Sequence, residues 1–397
     1  VNVLTGTNKY IATITLADGA TGKASNYILP VLNATNAPVT ITPAPLTVSG
    51  SAIQAKTYDG TTAVTFSNQG TLQGLVNGEH LILTAAGTFA SPNAGGSVQV
   101  NTSDSIANGS NGGIASNYYL IQPTDVTGSI NPKHLTVTGS AAVNKVYDGN
   151  TAAAITGGQL VGIVGNDVVN LTQAGTFAIK NVGTSIAVTA NDSISGAQAA
   201  NYVLDQPTFL SANITPKTVA LSAVKTYDAT TSLTGAVTIV TGVGSESLSY
   251  TGATASDVNV ATQNKYITAI TLADGSNGGL VSNYVLPTLN SANAPVTINP
   301  VTALVVVGAT AANKTYDGLT TAVLSGGSLQ GLVGSQTLTL TQAGAFASPN
   351  AGNGVQVVAN YTIGNGSVTD PNPGLASNYS LTQPAYITAD ITKAPLG

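Results

Sequence analysis

Three residue types that together could form a covalent cross-link recur at matching places along this chain. A lysine and an aspartate belong to a Lys-x-Tyr-Asp motif, which occurs first as "KTYDGTT" at residues 56–62 and returns as "KVYDGNT", "KTYDATT" and "KTYDGLT". An asparagine belongs to an Asn-Tyr pair that follows each motif. A Lys–Asn isopeptide bond would need these residues to meet in an apolar site, with loss of ammonia. The alternative, which we favour, is a repeated structural turn.

In the structural interpretation, the aspartate of each motif accepts a hydrogen bond from the backbone two positions on and closes the turn. The tyrosine ring packs inward, and the lysine lies across the turn as a solvated partner. Ala229 replaces the glycine of the other copies, which indicates a turn that glycine favours without requiring. The predicted turn residues are Lys56, Tyr58, Asp59, Lys145, Tyr147, Asp148, Lys225, Tyr227, Asp228, Lys314, Tyr316 and Asp317.

The Asn-Tyr pairs have a similar structural interpretation. Asparagine tolerates a left-handed conformation where a strand begins, and the tyrosine hydroxyl can return to the backbone as in a tyrosine corner. The pairs are Asn26–Tyr27, Asn117–Tyr118, Asn201–Tyr202, Asn283–Tyr284 and Asn378–Tyr379.

The sequence supports a metal site or a catalytic site less well than it supports structural turns. Asp18, Asp104, Asp192 and Asp274 recur upstream of Asn-Tyr pairs, but each is a lone carboxylate, whereas calcium takes several charged oxygens. We expect turn aspartates and no cofactor, with calcium as the alternative.

The histidines, His80 and His134, occupy unlike positions, and Gln336 stands near where His80 would align in the later copy. A triad or zinc site could not be a property of the repeat, and we predict that the chain is not an enzyme.

The composition excludes further classes of protein. Only 7% of the 397 residues are charged, and the eleven basic residues are all lysines, without the clusters that a nucleic-acid surface needs. The absence of cysteine removes disulfides and is compatible with export. No apolar run reaches the length of about 18 residues that suggests a membrane span. Because the chain opens with Val, we expect it to be a processed or excised part of something longer.

Self-similarity divides the chain into modules. The motif tyrosines are spaced by 89, 80 and 89 residues, and the opening "VNVLTGTNKYIATITLADG" returns in near-copy from Val258, three modules later. We therefore predict the C-terminal half of a type-C module at residues 1–43 (half-module C), a first module A at 44–132, module B at 133–216, module C at 217–300 and a second module A at 301–397.

Within a module the pattern is that of β-strands. Apolar and polar residues alternate in "LTVTG" (135–139), "VTIN" (296–299) and "LTLTQAGAF" (338–346). The spacing predicts an all-β tandem array of immunoglobulin-like, Greek-key β-sandwich modules, each with a private core. The alternative, a parallel β-helix, would show a period of about 20 to 25 residues. Junction prolines at Pro43, Pro132, Pro216 and Pro300 leave no room for a flexible linker, which predicts an extended rod.

The motifs resemble the YDG-type, glycine-rich repeat modules of large secreted bacterial adhesins, which are similar to filamentous haemagglutinin. The resemblance covers the whole chain and rests on four spaced copies of Lys-x-Tyr-Asp. It implies a secreted or surface-attached fibre or adhesin stalk of a Gram-negative bacterium. Such a fibre would attach the cell to other cells or to matrix and would take part in biofilm. Expected partners are further copies of the fibre, other cells and extracellular matrix, with no nucleic acid and no membrane span.

Two questions stay open at this point. Instead of a structural filament, the modules could be ligand-binding adhesins that recognise glycan or a host protein, with Tyr119 and Tyr250 as candidate contacts. Half-module C would present unpaired strand edges, which recruit partners. Its other half either precedes it in a longer chain, which we favour, or comes from a neighbouring subunit by strand addition.

Overall fold

The computed structural model describes residues 2–3, 8–384 and 386–397. Within these ranges the chain forms β-strands and five single-turn 3-10 helices, which confirms the all-β prediction. Val1 and residues 4–7 of half-module C, and Ala385 of the second module A, lie outside the described residues. No helix in the described part of the chain is long and apolar enough to cross a membrane.

The chain divides into two compact units that do not follow the sequence repeats. The first comprises Val1–Val143, Ala152–Phe177 and Ala187–Ser211, and the second comprises Asn144–Thr151, Ala178–Ile186 and Ala212–Gly397. Module B therefore contributes residues to both units. The module boundaries remain predictions from the sequence.

In the first unit, the first module A folds into short strands and mixed sheets. The strands are β1 (Ala44–Ser49), β2 (Ala52–Ile53), β3 (Lys56–Thr57), β4 (Phe66–Asn68), β5 (Thr71–Gln73), β6 (Leu81–Thr84), β7 (Gly87–Phe89), β8 (Gly95–Thr102), β9 (Ser105–Asn108), β10 (Tyr118–Leu120) and β11 (Thr127–Asn131). Strand β1 lies between parallel β10 and antiparallel β5, and a second sheet has the order β3-β11-β8-β7. The pairs β2·β4 and β6·β9 are antiparallel.

Module B repeats this pattern in its opening sheet. Its strands are β12 (Lys133–Thr138), β13 (Ala141–Ala142), β14 (Lys145–Val146), β15 (Ala152–Ala153), β16 (Ile155–Thr156), β17 (Gln159–Val161), β18 (Asn170–Thr172), β19 (Gly175–Phe177), β20 (Gly183–Ala190), β21 (Ser193–Ser195), β22 (Tyr202–Asp205) and β23 (Leu210–Thr215). In the first unit, β12 lies between antiparallel β17 and parallel β22. In the second unit, β14 pairs in parallel with β23.

The core of the first unit crosses the predicted boundary between two modules. Phe89, Val100 and Ile130 of the first module A pack in one cluster with Leu135 and Tyr202 of module B. The expectation of a private core in each module is therefore wrong here. Ile130 lies in β11 and Leu135 in β12, and Pro132 alone separates these two strands.

The second unit contains module C and the second module A. Module C forms β24 (Lys217–Thr218), β25 (Ala220–Thr226), β26 (Val237–Val240), β27 (Leu248–Ala255), β28 (Ile267–Asp274), β29 (Tyr284–Val285) and β30 (Val296–Asn299). The second module A forms β31 (Val301–Val307), β32 (Thr310–Ala311), β33 (Lys314–Thr315), β34 (Thr321–Ala322), β35 (Leu324–Ser325), β36 (Ser328–Gln330), β37 (Leu338–Phe346), β38 (Gly352–Asn365), β39 (Tyr379–Thr382) and β40 (Ile387–Thr392). Its main sheet has the order β33-β40-β38-β37-β34. Along β37 side chains alternate between partly buried and exposed, which is the predicted period of two.

Short connections join successive modules. Pro132, Pro216 and Pro300 are each the single residue between two strands, and Pro43 directly precedes β1. Because proline fixes φ and no further residue intervenes, each connection is locally stiff.

Half-module C departs from the expectation of open-edged strands. In its described residues it forms the 3-10 helix Ala24–Asn26 and an isolated bridge between Tyr10 and Pro38. Its near-copy at residues 258–300 forms β28, β29 and β30, because β27, β24 and β25 pair with them. In the described residues of half-module C no such ladder forms, and the near-identical sequence stays irregular there.

The remaining 3-10 helices precede the later Asn-Tyr tyrosines. They are Ala115–Asn117, Ala199–Asn201, Val281–Asn283 and Ala376–Asn378.

Candidate functional site: the tyrosine junctions

Each Lys-x-Tyr-Asp motif forms a turn that its aspartate closes. Oδ1 of Asp59 accepts a hydrogen bond from the backbone N–H of Thr61 at 2.8 Å and forms an ion pair with Nζ of Lys56 at 2.7 Å. Burial disfavours the charged carboxylate of Asp59, but the hydrogen bonds from Lys56 and Thr61 outweigh it and lower its pKa to about 2. The equivalent contacts form at Asp148, Asp228 and Asp317.

The motif lysines are not the solvated partners that the sequence suggested. The side chains of Lys56 and Lys225 are only 18% and 9% exposed. Nζ of Lys225 donates to the carbonyl oxygens of Thr230 and Ser232 at 3.0 and 2.8 Å. The ammonium group is therefore held by the backbone of its own turn.

The residue after the motif aspartate adopts a left-handed backbone in all four copies. The φ angles of Gly60, Gly149 and Gly318 are 78°, 81° and 77°, and that of Ala229 is 62°. Alanine at this position indicated a turn without a required positive φ, and that inference was wrong. Ala229 instead carries the strain of a conformation that costs L-residues about 1–2 kcal/mol.

We expect Ala229→Gly to raise the free energy of unfolding by about 0.5–1 kcal/mol. Relief of the strain at φ exceeds the added entropy of glycine in the unfolded chain. The matched control is Gly318→Ala, where a new Cβ would meet nothing within 4 Å, so that only the backbone term changes. Urea denaturation should shift in opposite directions for the two variants, and a shift in the same direction would refute the strain at Ala229.

The asparagine of each Asn-Tyr pair, from the second pair onward, binds a loop of the preceding module. Oδ1 of Asn201 accepts from the N–H of Ala94 at 2.9 Å, and its Nδ2 donates to Oδ1 of Asn93 at 3.2 Å. The same two bonds link Asn117 to Asn2 and Val3, Asn283 to Asn181 and Val182, and Asn378 to Asn259 and Val260.

These contacts contradict two interpretations of the asparagine drawn from the sequence, the left-handed backbone and the isopeptide bond. None of Asn117, Asn201, Asn283 and Asn378 is among the described residues with positive φ, so the prediction of a left-handed asparagine is wrong. Each amide both accepts and donates, which explains the residue type. It is also occupied by the loop, whereas the motif lysines bind their own turns, so the Lys–Asn pair of the isopeptide hypothesis does not meet.

The tyrosines of the two motifs meet at the boundaries between modules. The rings of Tyr58 and Tyr202 pack edge to face, with centroids 5.4 Å apart and planes at 78°. Tyr147 with Tyr284, and Tyr227 with Tyr379, repeat the arrangement at 5.5 and 5.7 Å. Each pair joins the Lys-x-Tyr-Asp motif of one module to the Asn-Tyr motif of the next. The two motifs are therefore halves of one junction.

A third polar side chain closes each tyrosine pair. Oδ2 of Asp167 accepts hydrogen bonds from the hydroxyls of Tyr58 and Tyr202 at 2.8 and 2.6 Å. Glu246 accepts from Tyr147 and Tyr284 at 2.8 and 2.7 Å, one hydroxyl on each oxygen. These clusters of two tyrosines and one acceptor are called tyrosine junctions below.

At the remaining junction, between module C and the second module A, Gln336 closes the pair. Its Nε2 donates to the hydroxyl of Tyr227 at 2.8 Å, and its Oε1 accepts from the hydroxyl of Tyr379. The uncharged amide of Gln336 thus forms a hydrogen bond with each of the two hydroxyls, one as donor and one as acceptor.

Burial and a neighbouring acid hold the pKa of two junction hydroxyls, those of Tyr147 and Tyr202, above the usual range for tyrosine. Burial raises the pKa of Tyr202 to about 12, and the hydrogen bond to Asp167 adds to the shift. Burial likewise raises the pKa of Tyr147 to about 12, supported by Glu246. The hydroxyls of Tyr147 and Tyr202 therefore donate hydrogen bonds to Glu246 and Asp167 and are not reactive phenolates.

The acceptor residues were not predicted, although the sequence contains a signal for them. They end the segments "GIVGND" (162–167), "GVGSE" (242–246) and "GLVGSQ" (331–336), and the same pattern appears as "GLVNGE" at 74–79. Gln336 takes the place of Glu79, which binds the hydroxyl of Tyr118 at 2.7 Å, and not that of His80. Aligning these segments would have revealed an acidic or amide residue at one position in each module.

The other candidate residues do not form a shared site. Asp18 and Asp274 cap 3-10 helices by accepting from the N–H groups of Ala24 and Val281, whereas Asp104 and Asp192 are buried elsewhere. The four aspartates therefore belong to two structurally different positions and not to one repeated position. His134 pairs with Asp205 in a contact exposed to solvent. In the described part of the chain no group of three His, Asp or Glu residues could hold a metal ion.

Comparisons with known proteins identify a domain family. The model of the YDG domain matches residues 42–127, 131–209 and 299–388, which make up more than half of the chain. No curated protein matches. Among solved structures, the chain is similar to the Drosophila N-cadherin EC1-4 crystal structure, with 8% identity over 87% of this chain and 99% of that chain. The TM-score of that likeness is 0.17.

Proposed function

The chain belongs to the YDG domain family, and from this premise we propose that it is the structural repeat region of a secreted bacterial surface fibre or adhesin stalk. In this role it is not catalytic, and it gives extracellular reach for attachment to other cells or matrix. Its modules are immunoglobulin-like Greek-key sandwiches arranged as an extended rod on a Gram-negative bacterium. Its partners are further copies of the fibre, other cells and matrix.

This proposal rests on one observation: the recurring polar side chains form hydrogen bonds with one another between adjacent modules. At three successive boundaries a tyrosine pair is closed by Asp167, Glu246 or Gln336. A repeated reactive site would present these groups to a ligand, whereas here their hydrogen bonds are made to one another. A stalk needs such connections, because it transmits force from one module to the next.

Antibody labelling of the source bacterium tests the location. We expect an antibody against this chain to label intact cells, and protease added outside to remove the label. Labelling that appears only after cell lysis would refute a surface fibre.

Single-molecule stretching tests the mechanical role. Stretching should give repeated unfolding steps, because a module of some 85 residues releases about 25–30 nm of extended chain. One step that releases the whole chain, or unfolding without resistance, would contradict a load-bearing array.

A ligand-binding adhesin is the second candidate, and exposed aromatic side chains favour it. Tyr119 is 51% exposed, and the side chain of Phe209 is fully exposed at a φ of 60°, which is unusual for a bulky residue. The hydroxyl of Tyr250 accepts a hydrogen bond from the N–H of Val237 and donates one to the carbonyl of Leu233, both in the same module. Binding to a glycan or matrix-protein panel that is lost in Tyr119→Ser or Phe209→Ser would support this candidate.

A further inference from the structure

We propose that the tyrosine junction between module C and the second module A is a binding site for a neutral mono- or disaccharide. The site is separate from the exposed aromatic side chains of the second candidate function, and it holds whether or not the chain is a stalk. Three features distinguish this junction from the junctions of Asp167 and Glu246: an unused hydroxyl proton, a cleft and a longer neighbouring loop.

The amide of Gln336 reverses the hydrogen bond at the motif tyrosine of this junction. The N–H of Val333 donates to the hydroxyl oxygen of Tyr379 at 3.1 Å, and this hydroxyl donates in turn to Oε1 of Gln336. Nε2 of Gln336 therefore faces the other tyrosine and donates to the hydroxyl oxygen of Tyr227 at 2.8 Å. Tyr227 is thus a hydrogen-bond acceptor here.

The hydroxyl proton of Tyr227 has no acceptor among the described residues. At the other two junctions the motif tyrosines, Tyr58 and Tyr147, donate this proton to the carboxylates of Asp167 and Glu246. Tyr227 is only 4% exposed, and a buried donor without an acceptor is unfavourable. An oxygen atom of a ligand would complete this hydrogen bond.

A cleft of about 670 Å³ adjoins the side chain of Tyr227, which is within the range of small-molecule binding sites. Polar and apolar side chains line it together. They include Tyr227, Asp228, Asn259, Gln336, Asn372 and Leu375. The unused hydroxyl proton therefore lies beside a space that a small ligand can enter.

Ala229 explains why the cleft is open at this junction. The corresponding residue at the preceding junction is Gly149, where an added Cβ would lie 2.7 Å from Cγ1 of Val243. Ala229 carries that Cβ, so its turn cannot pack as closely against the corresponding Val333. Ala229 and Val333's neighbour Gly334 both line the cleft, as does Val333 itself.

A longer loop of the second module A forms one wall of the cleft. In the first module A, the hydrogen bond from the N–H of Ala115 to Oδ1 of Asn108 spans seven residues. The corresponding bond in the second module A, from Ala376 to Asn365, spans eleven residues. The longer loop brings Asn372 to the cleft.

Hydrogen bonds hold this loop in place without a ligand. Oδ2 of Asp370 accepts from Oγ1 of Thr337 at 2.6 Å and from the N–H of Ser367 at 3.2 Å. The N–H of Thr337 donates to the carbonyl of Asn372 at 3.0 Å. A wall that is ordered in advance lowers the entropy cost of binding.

The chemistry of the lining identifies a neutral saccharide as the ligand. A sugar hydroxyl can both accept a hydrogen bond, here from Tyr227, and donate one, here to the carboxylate of Asp228 or the amide of Asn372. Leu375 and Val333 offer apolar contact to the C–H groups of the ring. No lysine is among the described residues that line the cleft, whereas Asp228 is, so charge disfavours an anionic ligand.

Saturation-transfer NMR on the full chain tests the site with a panel of named sugars. The neutral sugars are D-glucose, D-galactose, D-mannose, N-acetyl-D-glucosamine, lactose and maltose, and N-acetylneuraminic acid is the anionic control. We expect saturable binding of at least one neutral sugar and binding of N-acetylneuraminic acid that is weaker by at least about tenfold. Absence of saturable binding by every neutral sugar, or tighter binding of the anionic one, would overturn the proposal.

Substitutions in the full chain localise the binding. Gln336→Glu restores an acceptor for Tyr227, as at the other junctions, and should weaken sugar binding at least about tenfold while the thermal midpoint shows that the chain stays folded. Tyr227→Phe, which removes the proton itself, should have the same effect on binding. Tyr58→Phe is the matched control at the junction of Asp167 and should leave sugar affinity unchanged. Unchanged affinity in both Gln336→Glu and Tyr227→Phe would show that the sugar binds elsewhere and would overturn the proposal.

Discussion

Replacement of Tyr147 by alanine is expected to lower the free energy of unfolding by about 3–5 kcal/mol, the range for truncating a large buried aromatic side chain. Tyr147 is 1% exposed, packs against Tyr284 and donates to Glu246. The substitution opens a cavity and also removes one of the hydrogen bonds to a carboxylate that is mostly buried.

Tyr316 is the matched control, because the same motif occurs there without a junction. Its side chain is 44% exposed, and Tyr316→Ala should change stability by less than about 1 kcal/mol. Urea denaturation of both variants measures the difference. Similar losses for Tyr147→Ala and Tyr316→Ala would mean that the motif stabilises only its own turn.

Raising the pH from 10 to about 12 is expected to destabilise the chain through its junction tyrosines. An unperturbed tyrosine titrates near pH 10.0, whereas burial and the neighbouring acids hold the pKa of Tyr147 and Tyr202 at about 12. Because the folded-state pKa is raised, the stabilisation is complete below pH 10 and is lost as the pH rises towards 12. The loss is about 2–3 kcal/mol for each tyrosine.

Tyr202→Phe separates this effect from the titration of lysines. At pH 8 the variant should be less stable than the unmodified chain, because Asp167 loses a hydrogen bond. Between pH 10 and 12 the difference should shrink, since phenylalanine has no proton to lose. A difference that stays constant over this range would contradict the raised pKa.

The sequence predicted those features that depend on short stretches of chain. Alternation in "LTLTQAGAF" indicated a strand that became β37, and "VTIN" became β30. The hydrogen bond from the N–H of Thr61 to Asp59 spans two residues, so local turn chemistry was enough to suggest it.

The tyrosine junctions could not be found in this way, because they depend on pairing between modules. Tyr58 and Tyr202 are far apart in sequence, and each had a plausible local role as a buried ring. The acceptor changes from Asp167 to Glu246 to Gln336, so that no single residue type repeats. The positive φ of Ala229 was not predicted either, because the cost of this strained backbone is outweighed by the hydrogen bonds of the surrounding turn, which the residue type does not reveal.

A double-mutant cycle on Tyr58 and Tyr202 tests most directly whether the recurring motifs hold adjacent modules together. The free energy of unfolding would be measured for Tyr58→Ala, Tyr202→Ala and the double variant. Because the rings touch and share Asp167, we predict a coupling energy of at least about 1 kcal/mol. Additive losses, with coupling below about 0.5 kcal/mol, would contradict the assignment of the two motifs to one junction.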